Sequence, residues 1–161
     1  MDAIEMLEEQ HRDVEDLFDE LESAAASDKQ DLFDELADQL VVHAAIEELH
    51  FYPAVKASRT EEILLESLEE HLTIKRLLAD LMQLDPRNEA FEPKVKILKE
   101  QVELHVKDEE DQLFPQVRKI LDRKQLVALA EDMSLTQENL LDAGDPRQRV
   151  RQPSEEAASL R

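Results

Sequence analysis

The stretch HAAIEELHFYP, residues 43–53, decides how this chain is read. It sets His43 and Glu47 one turn apart, where helical side chains at i and i+4 share a face, and it closes on the pair Tyr52–Pro53. Residues 105–115, HVKDEEDQLFP, repeat it. The His, two consecutive Glu, an aromatic and the Pro recur at the same offsets. A second echo, EEQHRDVEDLFDEL and LEEHLTIKRLLADL, aligns His11 with His71. A helix pair therefore occurs twice, which predicts a pseudo-twofold site between the halves.

Working outward, apolar periodicity predicts four long amphipathic helices over residues 2–25, 29–57, 60–83 and 92–121, broken at SAAASDK, ASRTEE and LDPRNEAFEP. The first inner stripe is Ile4, Leu7, His11, Val14, Phe18, Leu21, the three-and-four spacing of a bundle core. The second is Phe33, Leu36, Leu40, His43, Glu47, His50, Ala54. The third is Leu64, Ser67, His71, Ile74, Leu78, Leu81, and the fourth Val95, Leu98, Val102, His105, Glu109, Gln112. Short loops favour antiparallel neighbours, so the expected fold is all-α, an up-down-up-down antiparallel four-helix bundle over residues 1–121. An additional C-terminal helix over 122–143, RKQLVALAEDMSLTQENLLD at its heart, is expected to pack across one end. Beyond it, 144–161 lacks an apolar period and reads as a flexible tail.

Composition agrees. Among 161 residues there is one Gly, no Trp and no Cys, with 37% charged and 42% hydrophobic residues. Such a balance suits helices and is too apolar for disorder. The net charge of −21 argues against nucleic acid and anionic membranes, whose phosphates need Lys and Arg. No apolar run is long enough to span a bilayer, and the start MDAIEMLEEQ lacks a signal peptide's basic and apolar segments, so a cytoplasmic protein is expected. The absence of Cys removes thiolate chemistry and disulfides.

A lone histidine on a helix stripe is ordinarily a hydrogen-bonded core residue. Here every helix carries one, and counting from the loops at about 1.5 Å per residue puts all four at one depth. Two of them have a Glu at i+4, and a buried carboxylate is costly unless something binds it. Four imidazoles and two carboxylates suit borderline first-row metals and exceed what one tetrahedral zinc uses. Two metals, each with two His and sharing two carboxylates, would employ all six residues. Iron fits best, with manganese or zinc behind.

These residues resemble the hemerythrin-like proteins, the HHE cation-binding domains, over about residues 4–121. The resemblance rests on His11, His43 with Glu47 and Tyr52–Pro53, His71 in its EEH context, and His105 with Glu109 and Phe114–Pro115. It implies a four-helix bundle around an oxo- or hydroxo-bridged non-haem di-iron centre. His11, His43, His71 and His105 would then be terminal ligands and Glu47 and Glu109 bridges. Oxygen-carrying members have a further histidine one turn after the first on helix 3, where this chain has Lys75, an ammonium that cannot ligate at neutral pH. They also use an Asp five residues after the helix-4 His, where Glu110 stands here. The resemblance with these departures implies a more open iron. It points to reaction with O2 or peroxide in oxygen or redox sensing or oxidant handling, rather than reversible carriage.

The rival readings are a di-iron enzyme, with peroxidase- or catalase-like or ferroxidase activity, and an interaction module whose partner depends on the metal state. His50, Tyr52 and Lys75 are candidates for contacts behind the ligands, while Glu48 and Glu110 read as solvated neighbours.

Overall fold

The computed structural model describes residues 1–152 and 156–160. Helix α1 (Ala3–Ser23) opens on a capping box in which Asp2 accepts from the Glu5 backbone N–H and Glu5 accepts from that of Asp2. Such reciprocity satisfies two helix-end donors that otherwise lack partners. Asp2 is fully buried and also accepts from Arg118 and Arg123. One carboxylate thus ties the start of the first helix to the end of the fourth and the start of the fifth. Asp2→Ala is expected to cost about 1–2 kcal/mol, a fall of roughly 2–8 °C in Tm, measurable by calorimetry on the metal-free chain.

Helix α2 (Lys29–Ile46) runs on through a π-helical turn, Glu47–Phe51, into a last turn, Tyr52–Ala54. After α3 (Glu61–Met82), helix α4 (Phe91–Asp108) does the same, through Glu109–Leu113 into Phe114–Ile120. The expected extents hold closely, but the π turns are new, and they fall at matching places in both copies of the repeat. In each, the N–H of the residue before the proline reaches five residues back, Tyr52 to Glu47 and Phe114 to Glu109. The next residue, Pro53 or Pro115, has no N–H with which to restore the α-helical pattern.

The four helices form the up-down-up-down bundle. Its apolar interior divides in two. One cluster, including Phe18, Leu36, Leu78 and Leu98, fills the end near the 24–28 and 83–90 loops. The other, including Leu7, Phe51, Leu64 and Val117, fills the opposite end. Between them lies a buried polar layer containing His11, His43, Glu47, His71, His105 and Glu109.

Helix α5 (Arg123–Asp142) packs along the flank against α1, α2 and the first π turn, not across one end. The flexible tail expected from 144 needs a larger correction. Gly144 and Asp145 take left-handed backbone angles, φ 80° and 44°, and turn the chain back. Pro146–Val150 then form a 3₁₀ turn. Arg147 donates to Asp38 from its backbone and its guanidinium, and Val150 is buried in the first apolar cluster. Ala157, Ala158 and Leu160 pack on the second cluster. The rest of that expected tail, residues 153–155 and Arg161, lies outside the described residues. Among the described residues no helix is long and apolar enough to cross a membrane.

Candidate metal centre

The six residues singled out by spacing meet in one layer. His11 and His43 face each other with ring centroids 4.9 Å apart, and His71 and His105 with centroids 4.6 Å apart. Between these two ring pairs stand the carboxylates. Glu47 Oε1 lies 3.1 Å from His43 Nε2 and 3.0 Å from His71 Nε2. Glu109 Oε1 lies 3.1 Å from His11 Nε2 and 3.4 Å from His105 Nε2. Each Oε1 therefore reaches at least one ring of each pair, and Glu47 Oε1 also lies 3.5 Å from His105 Nε2.

Each ring's other nitrogen is anchored. His11 Nδ1–H donates to Glu110 Oε2 at 2.7 Å, His71 Nδ1–H to Glu48 Oε2 at 2.7 Å, and His105 Nδ1–H to Glu70 Oε1 at 2.8 Å. His43 Nδ1–H donates to the amide oxygen of Gln10 at 2.7 Å. With Nδ1 held as a donor, every Nε2 is turned toward the centre, where it offers a lone pair once its own proton is displaced, and this is how metal-ligating histidines are held.

The π turns explain how consecutive glutamates both reach this layer. Glu47 and Glu109 point into the centre, and Glu48 and Glu110 reach across to His71 and His11. Neither of the latter is the solvated neighbour expected from sequence. Gln10 and Glu70 went unnoticed, although the echo held a signal: each stands immediately before its aligned histidine, His11 or His71, and each holds the histidine of the next helix.

Lys75 lies outside the ring cluster. Its Nζ donates to both oxygens of Glu48, at 2.9 and 2.8 Å, and so steadies the carboxylate that holds His71. Arg12 donates to one oxygen of Glu110, Oε2, at 2.5 Å and so steadies the carboxylate that holds His11. Tyr52 is drawn in: its hydroxyl donates to Glu109 Oε2 at 2.8 Å, and its ring stacks on His71. Its counterpart Phe114 stacks on His11 with no hydroxyl to offer. His50 turns elsewhere, with Nε2 2.6 Å from the Thr136 hydroxyl of α5. His50→Ala is accordingly expected to leave metals per chain unchanged in elemental analysis, and to lose about 1 kcal/mol with the hydrogen bond.

Electrostatics reflect the packing of this charge out of water. Burial disfavours the His11 imidazolium, yet Glu109 and Glu110 outweigh it and hold the pKa up to about 9, above the ordinary 6.5. His71 and His105 are also raised, burial being overcome by Glu47 and Glu48 for the first and chiefly by Glu109 for the second. For Glu47 burial pushes up, but His43 and the other polar neighbours prevail and hold it well below 4.5. Tyr52 is driven well above 10 by burial and by Glu109 and Glu47, so its hydroxyl keeps its proton.

The donor set suits a pair of cations. Glu47 and Glu109 are completely buried, yet no lysine or arginine lies among the described residues that touch their carboxylates. His43 Nε2 and Glu47 Oε2 are buried without a hydrogen-bond partner, a costly condition that a bound ion relieves. Two groups have ligand atoms close enough for one ion each: His11, His43, Glu47 and Glu109, and Glu47, His71 and His105. Glu47 belongs to both. Imidazole nitrogen with carboxylate oxygen favours first-row transition metals.

Comparison with known proteins agrees with this geometry. Residues 2–117 match the Hemerythrin HHE cation binding domain family. A crystal structure of a Hemerythrin HHE cation binding domain-containing protein, the Rv2633c homologue from Mycobacterium kansasii, shares the fold with a TM-score of 0.79. It is 24% identical, and the match covers 93% of this chain and 99% of that one. A curated relative named DNA nickase, from Nostoc sp. (strain PCC 7120), is 30% identical over 126 residues, 78% of this chain. The match spans 36% of that relative's length.

Proposed function

The chain belongs to the hemerythrin family of HHE cation-binding domains, and on that premise we propose that it holds two non-haem iron ions in its polar layer and reacts through them with dioxygen or peroxide. One observation carries the reading: Glu47 Oε1 and Glu109 Oε1 each stand between a ring of the His11/His43 pair and a ring of the His71/His105 pair. Two carboxylates so placed are suited to bridging, with the four Nε2 atoms as terminal ligands. Manganese or zinc would satisfy the same donors, and the redox use of the site separates iron from zinc. When bound, iron supplies the one-electron steps toward an oxidant that no side chain of this layer can supply.

The chain's own residues do the rest. Glu48, Glu70, Glu110 and Gln10 orient the four rings, so little reorganisation is needed when an ion enters. Apolar clusters on both sides exclude water from the layer. Tyr52 keeps a proton on its hydroxyl and directs it at Glu109, holding that carboxylate in place. A cleft of about 430 Å³ between α1 and α4, lined by His11, Arg12, Phe18 and Glu110 among others, brings the surface up to one ring of the layer. DNA does not enter the reading, because a net charge of −21 repels a phosphate backbone.

Elemental analysis with a visible spectrum before and after air oxidation tests the proposal. Two irons per chain, with bands that change on oxidation, are expected. One zinc per chain, or no metal and an unchanged spectrum after iron reconstitution, would overturn it. Sustained consumption of peroxide would mark an enzyme, and oxidation that stops at one equivalent per site would mark a sensor or binder.

A further inference from the structure

The repeat breaks its own symmetry at one anchoring residue. In the second half, the residue before the first-helix histidine is Glu70, and it holds His105. In the first half the same place is Gln10, and it holds His43. Three of the four rings thus donate to a carboxylate, and His43 alone donates to a neutral amide. A carboxylate behind an imidazole raises its basicity as a ligand, while an amide oxygen does so far less.

An amide also has two faces. Gln10 serves His43 only while its oxygen points at Nδ1–H. If the side chain turned over, its NH2 would confront another N–H. What fixes the correct face is the fifth helix: Gln10 Nε2 donates to Gln137 Oε1 at 2.8 Å. Beyond Met133 no residue of α5 is buried among the described residues. The helix's buried residues are Leu126, Ala130 and Met133, and beyond Met133 the side-chain hydrogen bonds among the described residues join Ser134 to Met6, Thr136 to His50 and Gln137 to Gln10. Gln10 and Gln137 also line a cleft of about 390 Å³ between α1 and α5.

We propose that Gln10, oriented by Gln137, is a positioning residue that couples the fifth helix to His43 and makes the His11/His43 position the weaker of the two metal positions, dependent on how α5 is docked. The proposal rests on the two-metal reading above and deepens it: the positions fill in order, His71/His105 first, and α5 controls the second. A helix that binds no metal thereby sets how many ions the bundle holds.

The test is an anaerobic titration of the full metal-free chain with cobalt(II), monitored by its visible absorption and by competition with a chelator. Wild type is expected to bind two ions in two resolved steps. Gln10→Ala should weaken the second step about 10–100-fold and leave the first where it was. Gln137→Ala should weaken the same step by a smaller factor. Gln10→Glu, which supplies the missing carboxylate, should tighten that step and draw the two together, a gain no merely structural role would produce. In His43→Ala the weak step should vanish while the strong one persists, which identifies the position. The proposal is overturned if Gln10→Ala and Gln137→Ala weaken both steps alike or change neither, or if Gln10→Glu gives no tightening. Should the wild-type chain bind fewer than two cobalt ions, the two-metal reading fails first and this inference with it.

Discussion

Glu47→Ala is expected to cut the metal content from the proposed two irons per chain to at most one. Glu47 Oε1 lies between 3.0 and 3.5 Å from the Nε2 atoms of three rings, His43, His71 and His105. It also belongs to both groups of ligand atoms that converge closely enough for an ion. Its removal leaves the His71/His105 position two ligands from its group and takes one from the other. No neighbour replaces it, because Glu48 is occupied by His71 and Lys75. Alanine also leaves a cavity in a fully buried place, so Glu47→Gln serves as the volume-conserving control and should lose metal as well. Elemental analysis of the purified variants decides the matter. Retention of two irons in Glu47→Ala would show that the carboxylate is not shared.

Removing metal should have the second large effect, and pH should reveal its sign. An ion held at about a thousand times its Kd stabilises the fold by about 4 kcal/mol per site. Two sites therefore correspond to a fall of roughly 15–30 °C in Tm on chelation. The metal-free chain should then show an inverted pH response. His11 has a folded pKa raised from 6.5 to about 9, so the stability it contributes is fully present below 6.5 and lost as pH rises through about 9. His71 and His105 are raised too and act in the same direction. Glu47 is depressed below 4.5, so its contribution is present above that value and lost as pH falls through its folded pKa. The metal-free chain should be most stable between about pH 4.5 and 6.5 and weaken toward pH 9. The loaded chain should do the opposite, losing metal as protons compete for the imidazoles below about pH 6. Melting curves across this range, with and without chelator, measure both. A metal-free chain that gained stability from pH 6.5 to 9 would refute the charge assignment.

The bundle and the six inward residues were legible because helical periodicity and duplication report position along and around an axis. His11, His43, His71 and His105 each announced themselves by interrupting an apolar stripe at one depth. The groups behind them were harder to see. Glu48 and Glu110 belong on an outer face if the helix is a regular α-helix. A single wide turn brings them inward, and its trace in the sequence was the proline at the same offset in both copies, Pro53 and Pro115. Gln10 and Glu70 lie off the inner stripes, and a bond to the ring of another helix leaves no mark in local periodicity. His50 sat on the inner stripe yet serves α5, since the wide turn that begins at Glu47 rotates it off that stripe. The 146–150 segment escaped because one valine, one proline and one arginine are too few to make a period, although they suffice to dock a short turn against α2.

The division of the interior into two apolar ends and a polar waist bears on how the chain folds. Each helix hairpin closes on partners near in sequence, the low contact order of fast-folding helical proteins. The waist has no such advantage. Without ions its carboxylates and imidazoles compete for too few satisfactory pairings, and local frustration is concentrated there. Both ends are therefore expected to condense first and the middle to settle last. Within the four helices of the metal-free molecule, amide exchange is expected to be faster at the waist than in the helix on either side. Metal bound at the waist would act on this architecture as a late lock, slowing escape from the native state more than it speeds arrival.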